Sequence, residues 1–281
     1  MRPSRAPSHK PSQARRTLPV AHVLAALAVV GAGAFYAGYR YGLSRTRPGV
    51  AQAKTERAST APPGKAASDD PHFAPRTVTV RTGNFLENAG FEGGESGWKW
   101  LDWSNQWGKF EVAEGRAATG SKAAHLAVHG GATDPGTHVF GVVQELVSPV
   151  FPRRISGKYF VERWEPGGAR KAYIQVVIIA MRPQGKEPTM QLRYILDGVT
   201  EQPYHMSNAR YVFVHRRPEP ETGEWIDFSL DVVGDYRREW GEVPPDGTGY
   251  RVLFEARYDD KPAAATVAND VWYDDLFVGV P

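Results

Sequence analysis

The chain has 281 residues and no cysteine, which excludes disulfide bonds and cysteine-ligated metal sites. Its net charge of +3 is unevenly distributed, because residues 1–78 carry 12 Lys/Arg and 3 Asp/Glu while the remainder carries 22 and 28. The first part is therefore at +9 and the rest at −6. Since the basic charge belongs to the N-terminal part alone, it is no sign of a nucleic-acid-binding surface on the rest of the chain, and no nucleic-acid partner is predicted.

The N-terminal part begins with a basic arm that is followed by a long uncharged run. Residues 1–17 carry five Lys/Arg among Pro, Ser and Ala and are predicted to be a disordered cytoplasmic arm. Residues 18–39 contain no Asp, Glu, Lys or Arg. As a helix they would be about 33 Å long, against about 30 Å of hydrocarbon, which predicts a transmembrane signal anchor. Fewer basic residues follow the run (Arg40, Arg45 and Arg47) than precede it. This favours a single-pass inner (cytoplasmic) membrane protein with its N-terminus inside and its C-terminal domain periplasmic or extracellular.

A cleaved secretory signal is the alternative interpretation of the same run. Val20–Val30 has the length of a signal-peptide core, and the small residues up to Ala34 resemble a cleavage site. The run is longer than such a core needs, so the anchor is preferred, and a core helix of a soluble protein is the third interpretation. Either an anchor or a cleaved signal would export the residues that follow.

The composition changes twice after the uncharged run. Residues 43–78 are rich in Ala, Pro, Ser and Thr and show no hydrophobic face, so they are predicted to be a flexible linker. In residues 79–281, short runs of Val, Ile, Tyr and Phe alternate with Gly, Pro and Asp, which is the pattern of strands and turns. We therefore predict that residues 79–281 form one all-β sandwich domain.

Several of the predicted strands show which side faces the core. Between Arg251 and Tyr258 the even positions are apolar and the odd positions are mostly polar, so one face would be buried and the other exposed. Tyr173–Ala180 is almost continuously apolar and is typical of a central strand covered on both sides. No long helical pattern follows Tyr39. The predicted strands are Thr77–Arg81, Lys109–Ala113, Ala123–Val128, His138–Leu146, Gly157–Glu165, Tyr173–Met181, Met190–Leu196, Arg210–His215, Trp225–Val232, Tyr250–Tyr258 and Val271–Val278.

Five short motifs in this region carry a family resemblance. They are, in order, Asn88-Ala-Gly-Phe-Glu92 with Gly97-Trp98, the stretch from Thr119 to Val128, Val143 to Pro149, Gly223-Glu-Trp225, and Tyr273-Asp-Asp-Leu276. This order resembles the β-jelly-roll carbohydrate-binding modules of families four, nine and twenty-two, which belong to the galactose-binding-like sandwiches. The resemblance covers about residues 84–281 and implies a jelly-roll fold. It also implies that Trp98 and Trp225 pack in the core.

The resemblance further implies a structural calcium ion where the first and last strands meet. Glu92, Asp274 and Asp275 would then be side-chain ligands, since calcium takes six to eight oxygen ligands. Backbone carbonyl groups near Gly90 and Lys122 would complete the coordination. The alternative is that Asp274 and Asp275 only accept hydrogen bonds from turn amides at the end of a strand.

A cluster of tryptophans provides the first candidate for ligand binding. Trp100, Trp103 and Trp107 lie in a polar segment beside Asp102 and Asn105, and sugar rings commonly stack on exposed aromatic side chains. These three tryptophans are predicted to be exposed platforms for a carbohydrate. The alternative is that they cover an edge of the sandwich, because large apolar side chains are usually buried.

A charged sheet face provides the second candidate. Trp164, Tyr194, Arg251, Glu255 and Arg257 are predicted to bind the ligand there, because Arg and Glu side chains form paired hydrogen bonds with acidic or hydroxylated glycans. The alternative is a solvated face with ion pairs that contribute little. The residues predicted to point outward on this face are Glu162, Trp164, Gln175, Arg193, Tyr194, Arg251, Glu255 and Arg257.

Catalytic patterns are weak in this sequence. Asp227 and Asp231 would share a strand face but lie about 13 Å apart, too far for the paired carboxylates of a retaining glycosidase. His125, His129 and His138 do not have the spacing of a metal site. The sequence therefore predicts a membrane-anchored, exported, non-catalytic module that binds a cell-wall or surface polysaccharide. The alternative is an envelope structural or protein-interaction sandwich, and a polysaccharide lyase or glycosidase is a distant third.

Overall fold

The computed structural model describes residues 70–181 and 189–281. The predicted basic arm, the predicted membrane span and residues 43–69 of the predicted linker lie outside these ranges. Within the described ranges, no helix combines the length and the apolar character that crossing a membrane requires.

The described residues form thirteen strands and one helix. The strands are β1 (Arg76–Thr77), β2 (Gly83–Asn84), β3 (Trp107–Gly108), β4 (Glu111–Glu114), β5 (Lys122–Gly130), β6 (His138–Val147), β7 (Arg154–Glu165), β8 (Lys171–Ala180), β9 (Met190–Asp197), β10 (Ala209–Phe213), β11 (Trp225–Asp231), β12 (Gly249–Asp259) and β13 (Val267–Val280). The helix α1 spans Val232–Trp240, between β11 and β12.

The strands form two sheets, which confirms the predicted β-sandwich. Sheet I has the order β1-β6-β12-β8-β9-β10, with β3 also paired to β6. Sheet II has the order β11-β7-β13-β5-β4, with β2 paired to β13. In sheet I, β12 pairs in antiparallel fashion with both β6 and β8, so Glu255 lies between Gly141 and Gln175. The order of strands in space differs from their order in the sequence, as expected for a sandwich with crossover connections.

The main core lies between the two sheets and follows the alternation in the sequence. Val252, Phe254, Ala256 and Tyr258 of β12 all point into it, as predicted. Phe254 contacts aromatic side chains of both sheets, including Tyr273 at a ring-centroid distance of 5.7 Å. Such contacts between large side chains bury the apolar area that holds the two sheets together.

A second apolar cluster lies on the opposite face of sheet I. Val143, Val177 and Leu253 belong to it, and they are covered by Leu101 and Trp107 from the segment before β4. Strand β8 is therefore buried on both of its faces, which confirms the prediction of a central covered strand. Sheet I thus has apolar contacts on both sides rather than one solvated face.

Three short elements were not predicted from the sequence. Strands β2 and β3 are two residues each, and the predicted strand at Thr77–Arg81 is only β1, two residues at Arg76–Thr77. Such short pairings show no alternation that a sequence pattern could reveal.

The helix α1 is the third unpredicted element. Its N-terminus is capped by the Asp231 carboxylate, which accepts a hydrogen bond from the Gly234 N–H at 3.0 Å, and Gly241 ends it with a φ of 75°. The Tyr236 hydroxyl, buried beneath the helix, donates to the Met190 carbonyl at 3.0 Å. Asp and Gly at these positions are the signals that could have indicated the helix. At nine residues, however, it is too short for a clear periodic pattern.

Candidate functional site

The residues predicted to bind calcium all hold one loop, residues 118–122. Glu92 accepts hydrogen bonds from the backbone N–H groups of Ser121 at 2.8 Å and Lys122 at 2.9 Å, and from the Ser121 hydroxyl at 2.8 Å. Asp274 accepts hydrogen bonds from the backbone N–H groups of Ala118 at 2.8 Å and Thr119 at 3.1 Å. The two carboxylates therefore fasten the loop to the opening and closing segments of the domain.

The surroundings of these carboxylates set their pKa values in opposite directions. The pKa of Glu92 is lowered, first by the backbone hydrogen bond from Lys122, because N–H donors favour the ionised form. Burial is the main cause that raises the pKa of Asp274, although hydrogen bonds from Thr119, Asp275 and Ala118 partly oppose this. Asp275 accepts a hydrogen bond from the Thr119 hydroxyl.

This donor set fits hydrogen bonding better than calcium binding. The groups that face Glu92 and Asp274 are N–H and O–H donors, whereas calcium needs oxygen ligands. In residues 70–181 and 189–281, no group of three or more His, Asp or Glu side chains is arranged to hold a metal ion. The arrangement matches the alternative in which turn amides satisfy the aspartates, and structural calcium stays a prediction.

We expect calcium and chelator to leave the melting temperature of the full-length chain unchanged, because hydrogen bonds already satisfy these carboxylates. Differential scanning calorimetry with calcium and with EDTA measures this directly. Glu92→Gln should lower the melting temperature equally under both conditions. A melting temperature that rises by several degrees with calcium, and only while Glu92 is intact, would instead support the structural ion.

The four clustered tryptophans have different environments. Trp98 is buried against Phe91 at a ring-centroid distance of 5.0 Å, as predicted. Trp100 is partly buried, and Trp107 is only 7% exposed, so the prediction of an exposed platform is wrong for Trp107. Trp103 is 40% exposed and stacks on His72 at 4.4 Å. The segment covers the outer face of sheet I because its apolar side chains meet Val143, Val177 and Leu253 there.

The predicted placement on one sheet face is confirmed for some of these residues and wrong for others, and ligand binding stays a prediction. Gln175, Arg193, Arg251, Glu255 and Arg257 lie on the outer face of sheet I, where their strands pair in register. Tyr194 is wrongly predicted, because it is fully buried in the core between the sheets. Since adjacent residues of a strand point to opposite faces, Arg193 and Tyr194 cannot both point outward.

Trp164 and Glu162 do not belong to this face. Both lie on β7 of sheet II, where Trp164 packs against the main core and Glu162 accepts a hydrogen bond from the Trp272 indole N–H at 3.0 Å. Trp225, expected in the core from the resemblance, instead packs against Phe160 on the outer face of sheet II. The predicted placement of Trp164 and Glu162 on the same sheet face as Arg251 is therefore wrong.

Arg251 belongs to an ion-pair network at one end of the outer face of sheet I. Its guanidinium donates to Glu145 at 2.7 Å and to Asp70 at 3.1 Å, and Lys99 also pairs with Glu145. The Trp103 ring lies 5.4 Å from the Arg251 guanidinium carbon. This network holds the tryptophan segment on the sheet, and Arg251 is buried within it rather than exposed to solvent.

The remaining polar residues form what we call the polar cleft, on the outer face of β12, β8, β9 and β10. Arg257 pairs with Asp259, which also accepts a hydrogen bond from the Tyr173 hydroxyl at 2.9 Å. Gln175 donates to Glu255, and both side chains are buried. The residues of the cleft are Tyr173, Gln175, Arg193, Tyr204, Tyr211, Glu255, Arg257 and Asp259.

Aromatic side chains border the polar cleft on two sides. A Cβ atom placed on Gly141 would lie 3.1 Å from both the Trp107 ring and the Glu255 side chain, so Trp107 reaches the edge of the cleft. On the other side, the Tyr204 ring lies 5.5 Å from the guanidinium carbon of Arg257 and 5.6 Å from that of Arg193. The cleft therefore combines a polar floor with aromatic walls.

Four buried polar atoms in the cleft have no hydrogen-bond partner among the described residues. They are Gln175 Oε1, Arg193 Nη1, Arg257 Nε and the Tyr211 hydroxyl. Leaving a buried polar group without a partner costs about 1–3 kcal/mol, so several in one place indicate a site that a ligand completes. Burial also raises the pKa of Glu255 above its usual value, although the charges of Arg193 and Arg257 partly oppose this shift.

Tyr204 and Tyr211 were not identified from the sequence. Tyr204 lies in the connection between β9 and β10, where no alternating pattern shows which way its side chain points. Tyr211 lies in β10, a short parallel strand at the edge of the sheet. Tyr211 pairs in register with Arg193 and therefore lies on the same sheet face. The sequence could have shown this only if the parallel pairing of β10 with β9 had been known.

The acidic residues considered for catalysis have structural contacts. Asp227 pairs with Lys158 and its side chain is 78% exposed, while Asp231 caps α1. A wide, shallow cavity of about 440 Å³ lies beside them on sheet II, lined in part by Arg154, Lys158 and Asp275. It is distant from the polar cleft, because the two lie on different sheets. We favour the cleft as the candidate site because it concentrates buried groups without partners.

Comparisons with known proteins find a likeness only among solved structures. No protein-family model matches the chain. No curated protein matches it either. The carbohydrate-binding module TmCBM61, solved with beta-1,4-galactotriose, is 14% identical over 70% of this chain and 99% of its own, with a TM-score of 0.36. The CBM22-1 xylan-binding domain of Xyn10C from Paenibacillus barcinonensis is 14% identical over 72% and 99%, with a TM-score of 0.34.

A likeness to an enzyme is also present. The enzymatically active domain of tailspike protein 4 from bacteriophage CBA120 is 10% identical over 70% of this chain and 21% of its own, with a TM-score of 0.38. The similarity in all three cases is to the fold of these proteins. At such identities and TM-scores, no ligand and no residue role is transferred to this chain.

Proposed function

We propose that this protein is a non-catalytic carbohydrate-binding β-sandwich that holds its ligand in the polar cleft of sheet I. One observation carries the proposal: the cleft contains four buried polar atoms without partners among the described residues, and aromatic side chains border it. A sugar offers both hydroxyl groups for hydrogen bonding and an apolar ring face for aromatic contact. Binding sites for small ligands characteristically combine a few placed polar groups with aromatic walls.

The location of the cleft also suits a ligand of limited size. Gln175 is fully buried, whereas Arg193, Tyr204 and Tyr211 are half-buried, so exposure increases from β8 toward the β10 edge. The tryptophan segment closes the other end. A glycan would therefore enter along the side of Tyr204 and Tyr211.

The finer parts of the function rest on the sequence. We propose that residues 18–39 anchor the protein in the membrane and that the sandwich acts outside the cytoplasm on a cell-wall or surface polysaccharide. The apolar run and its flanking charges support this placement.

Titration of the full-length chain with a panel of polysaccharides tests the proposal. The protein would be held in a detergent without a sugar headgroup, and binding would be followed by calorimetry. We expect Gln175→Met, which keeps the volume but removes the polar atoms, to weaken binding by about tenfold or more. Trp103→Ala should leave the affinity unchanged, because Trp103 lies with Arg251 at the other end of the sheet.

The same pair of variants identifies the outcomes that oppose the proposal. If Trp103→Ala abolishes binding and Gln175→Met does not, the exposed loop is the site, as the sequence alone suggested. If the unaltered protein binds no glycan in the panel, the carbohydrate-binding function fails. The melting temperature of each variant shows whether a lost affinity comes from unfolding.

A protein-interaction role is the second candidate, and one surface favours it. On the outer face of sheet II, Trp225, Phe160 and Trp272 form a row across β11, β7 and β13, and His125 extends it with a ring stacked 4.2 Å from Trp272. Phe160 and Trp272 are only 5% and 7% exposed, so the half-buried Trp225 is the ring of this row that a partner could reach. Aromatic side chains are enriched at protein interfaces. If glycans fail to bind, a crosslinked partner lost in Trp225→Ala would support this role.

A further inference from the structure

The polar cleft contains two guanidinium groups that still have hydrogen atoms to donate. Arg193 Nη1 and Arg257 Nε are buried and have no hydrogen-bond acceptor among the described residues. A ligand that completes the site must therefore supply acceptors to both arginines.

The two arginines differ in how their charge is balanced. Arg257 pairs with Asp259, so it has a carboxylate partner. Arg193 donates through Nε at 3.1 Å and Nη2 at 3.0 Å to the neutral side-chain oxygen of Gln191. Glu255 is the other acid in the cleft; it accepts a hydrogen bond from Gln175 and acts on the charges of both arginines from a longer distance. Arg193 therefore has no carboxylate within ion-pair distance among the described residues, and only the more distant Glu255 opposes its charge.

Strand pairing brings the relevant groups together. Gln175 lies on β8, the strand between β9 with Arg193 and β12 with Arg257. Both guanidinium carbons lie within 5.6 Å of the Tyr204 ring centroid. The free acceptor of Gln175, Oε1, is on the floor of the cleft and needs a donor. The site is therefore complementary to a small ligand that has both an anionic hydrogen-bond acceptor and a hydroxyl donor.

We propose that the polar cleft recognises an acidic glycan, with the carboxylate of a uronic acid residue on Arg193 and Arg257 and a neighbouring sugar hydroxyl on Gln175. A planar carboxylate matches the planar fork of a guanidinium group and forms charge-assisted hydrogen bonds with it. The free Oε1 of Gln175 accepts from the hydroxyl. This inference rests on the proposed carbohydrate-binding function and adds the charge class of the ligand.

The test compares ligands that differ only in charge. Oligosaccharides of galacturonate, glucuronate and mannuronate would be titrated into the full-length chain, each beside its methyl ester. We expect at least one acid to bind about 10- to 100-fold more tightly than its ester, because the ester removes the charge that faces the arginines. This comparison needs no mutation and is independent of variant folding.

Variants then test whether the preference for the acid over its ester arises in the polar cleft. Arg193→Gln should bring the affinities for acid and ester to within about threefold of each other, because it removes the charge that distinguishes the two ligands. Arg193→Lys should keep part of the preference, because the charge remains but the planar fork is lost. Arg163→Gln on sheet II is the matched control and should keep all of it, since Arg163 pairs with Asp270 outside the cleft.

The failure of this inference can be told apart from that of the proposed function. Neutral glycans that bind as tightly as their acidic counterparts, with Gln175→Met abolishing both, would overturn the acidic preference and keep the carbohydrate-binding function. If only sulfated glycans bind tightly, the proposal that the ligand carries a carboxylate is wrong. If no glycan of any charge binds, both proposals are wrong.

Discussion

Replacement of Asp197 by alanine is expected to lower the free energy of unfolding by about 3–5 kcal/mol, as for other buried ion pairs that lose one partner. Asp197 is fully buried at the end of β9 and accepts two hydrogen bonds from Arg217, from Nε at 2.8 Å and Nη2 at 2.7 Å. The Tyr159 hydroxyl of sheet II also donates to it. One carboxylate thus joins β9, the connection that follows β10, and the opposite sheet.

Urea unfolding followed by tryptophan fluorescence measures this change. Asp227→Ala is the matched control, because its ion pair with Lys158 is at the surface and should contribute less than about 1 kcal/mol. Equal effects of the two substitutions would contradict the structural role of Asp197. A loss that is repaired by a second change, Arg217→Met, would show that the unpaired arginine charge causes most of the cost.

Phe254→Ala is expected to have a similar effect, about 3–5 kcal/mol, for a different physical reason. Phe254 is fully buried on β12, with ring centroids 6.1 Å from Trp98, 6.4 Å from Phe228 and 5.7 Å from Tyr273. Its removal leaves a cavity between the two sheets that the rigid strands cannot close. Such a cavity forfeits the contacts of its lining as well as the transfer free energy of the ring.

The control for this substitution is Val80→Ala. Val80 is 51% exposed, so we expect a change within about 0.5 kcal/mol. Because Phe254 points to the core while its neighbours Leu253 and Glu255 point to the outer face, its effect also tests the alternation of β12. If Phe254→Ala lowers the free energy of unfolding by less than about 1 kcal/mol, the two sheets do not pack against each other at Phe254.

The two proposals for function place different demands on the same sheet. The core face of β12 holds the sandwich together, whereas its outer face contributes Glu255 and Arg257 to the polar cleft. Stability and binding should therefore separate along one strand, with even positions affecting unfolding and Arg257 affecting both. Arg193, half-buried on β9, is the better position for a binding test because its loss disturbs less of the packing.

The pattern of apolar and polar residues was sufficient to predict the β-class of the domain, ten of its longer strands to within a few residues, and the central position of β8. It also placed Gln175, Arg193, Glu255 and Arg257 on one face. These features follow from a local rule, since side chains alternate along a strand whatever it pairs with. The same rule requires Tyr194 to face the core if its neighbour Arg193 faces outward, so it excludes the predicted outward position of Tyr194.

What covers each face of sheet I became known only from the tertiary structure. The sequence predicted exposed tryptophans and a solvated or ligand-binding charged face, but Trp107 is buried over Gly141, and the Tyr204 ring lies beside Arg193 and Arg257. These contacts join segments that are distant in the sequence, and no local periodicity records them. The polar cleft therefore depends on the pairing order of the strands and on which loops fold back over sheet I, because burial is a property of the packed chain and not of any single segment.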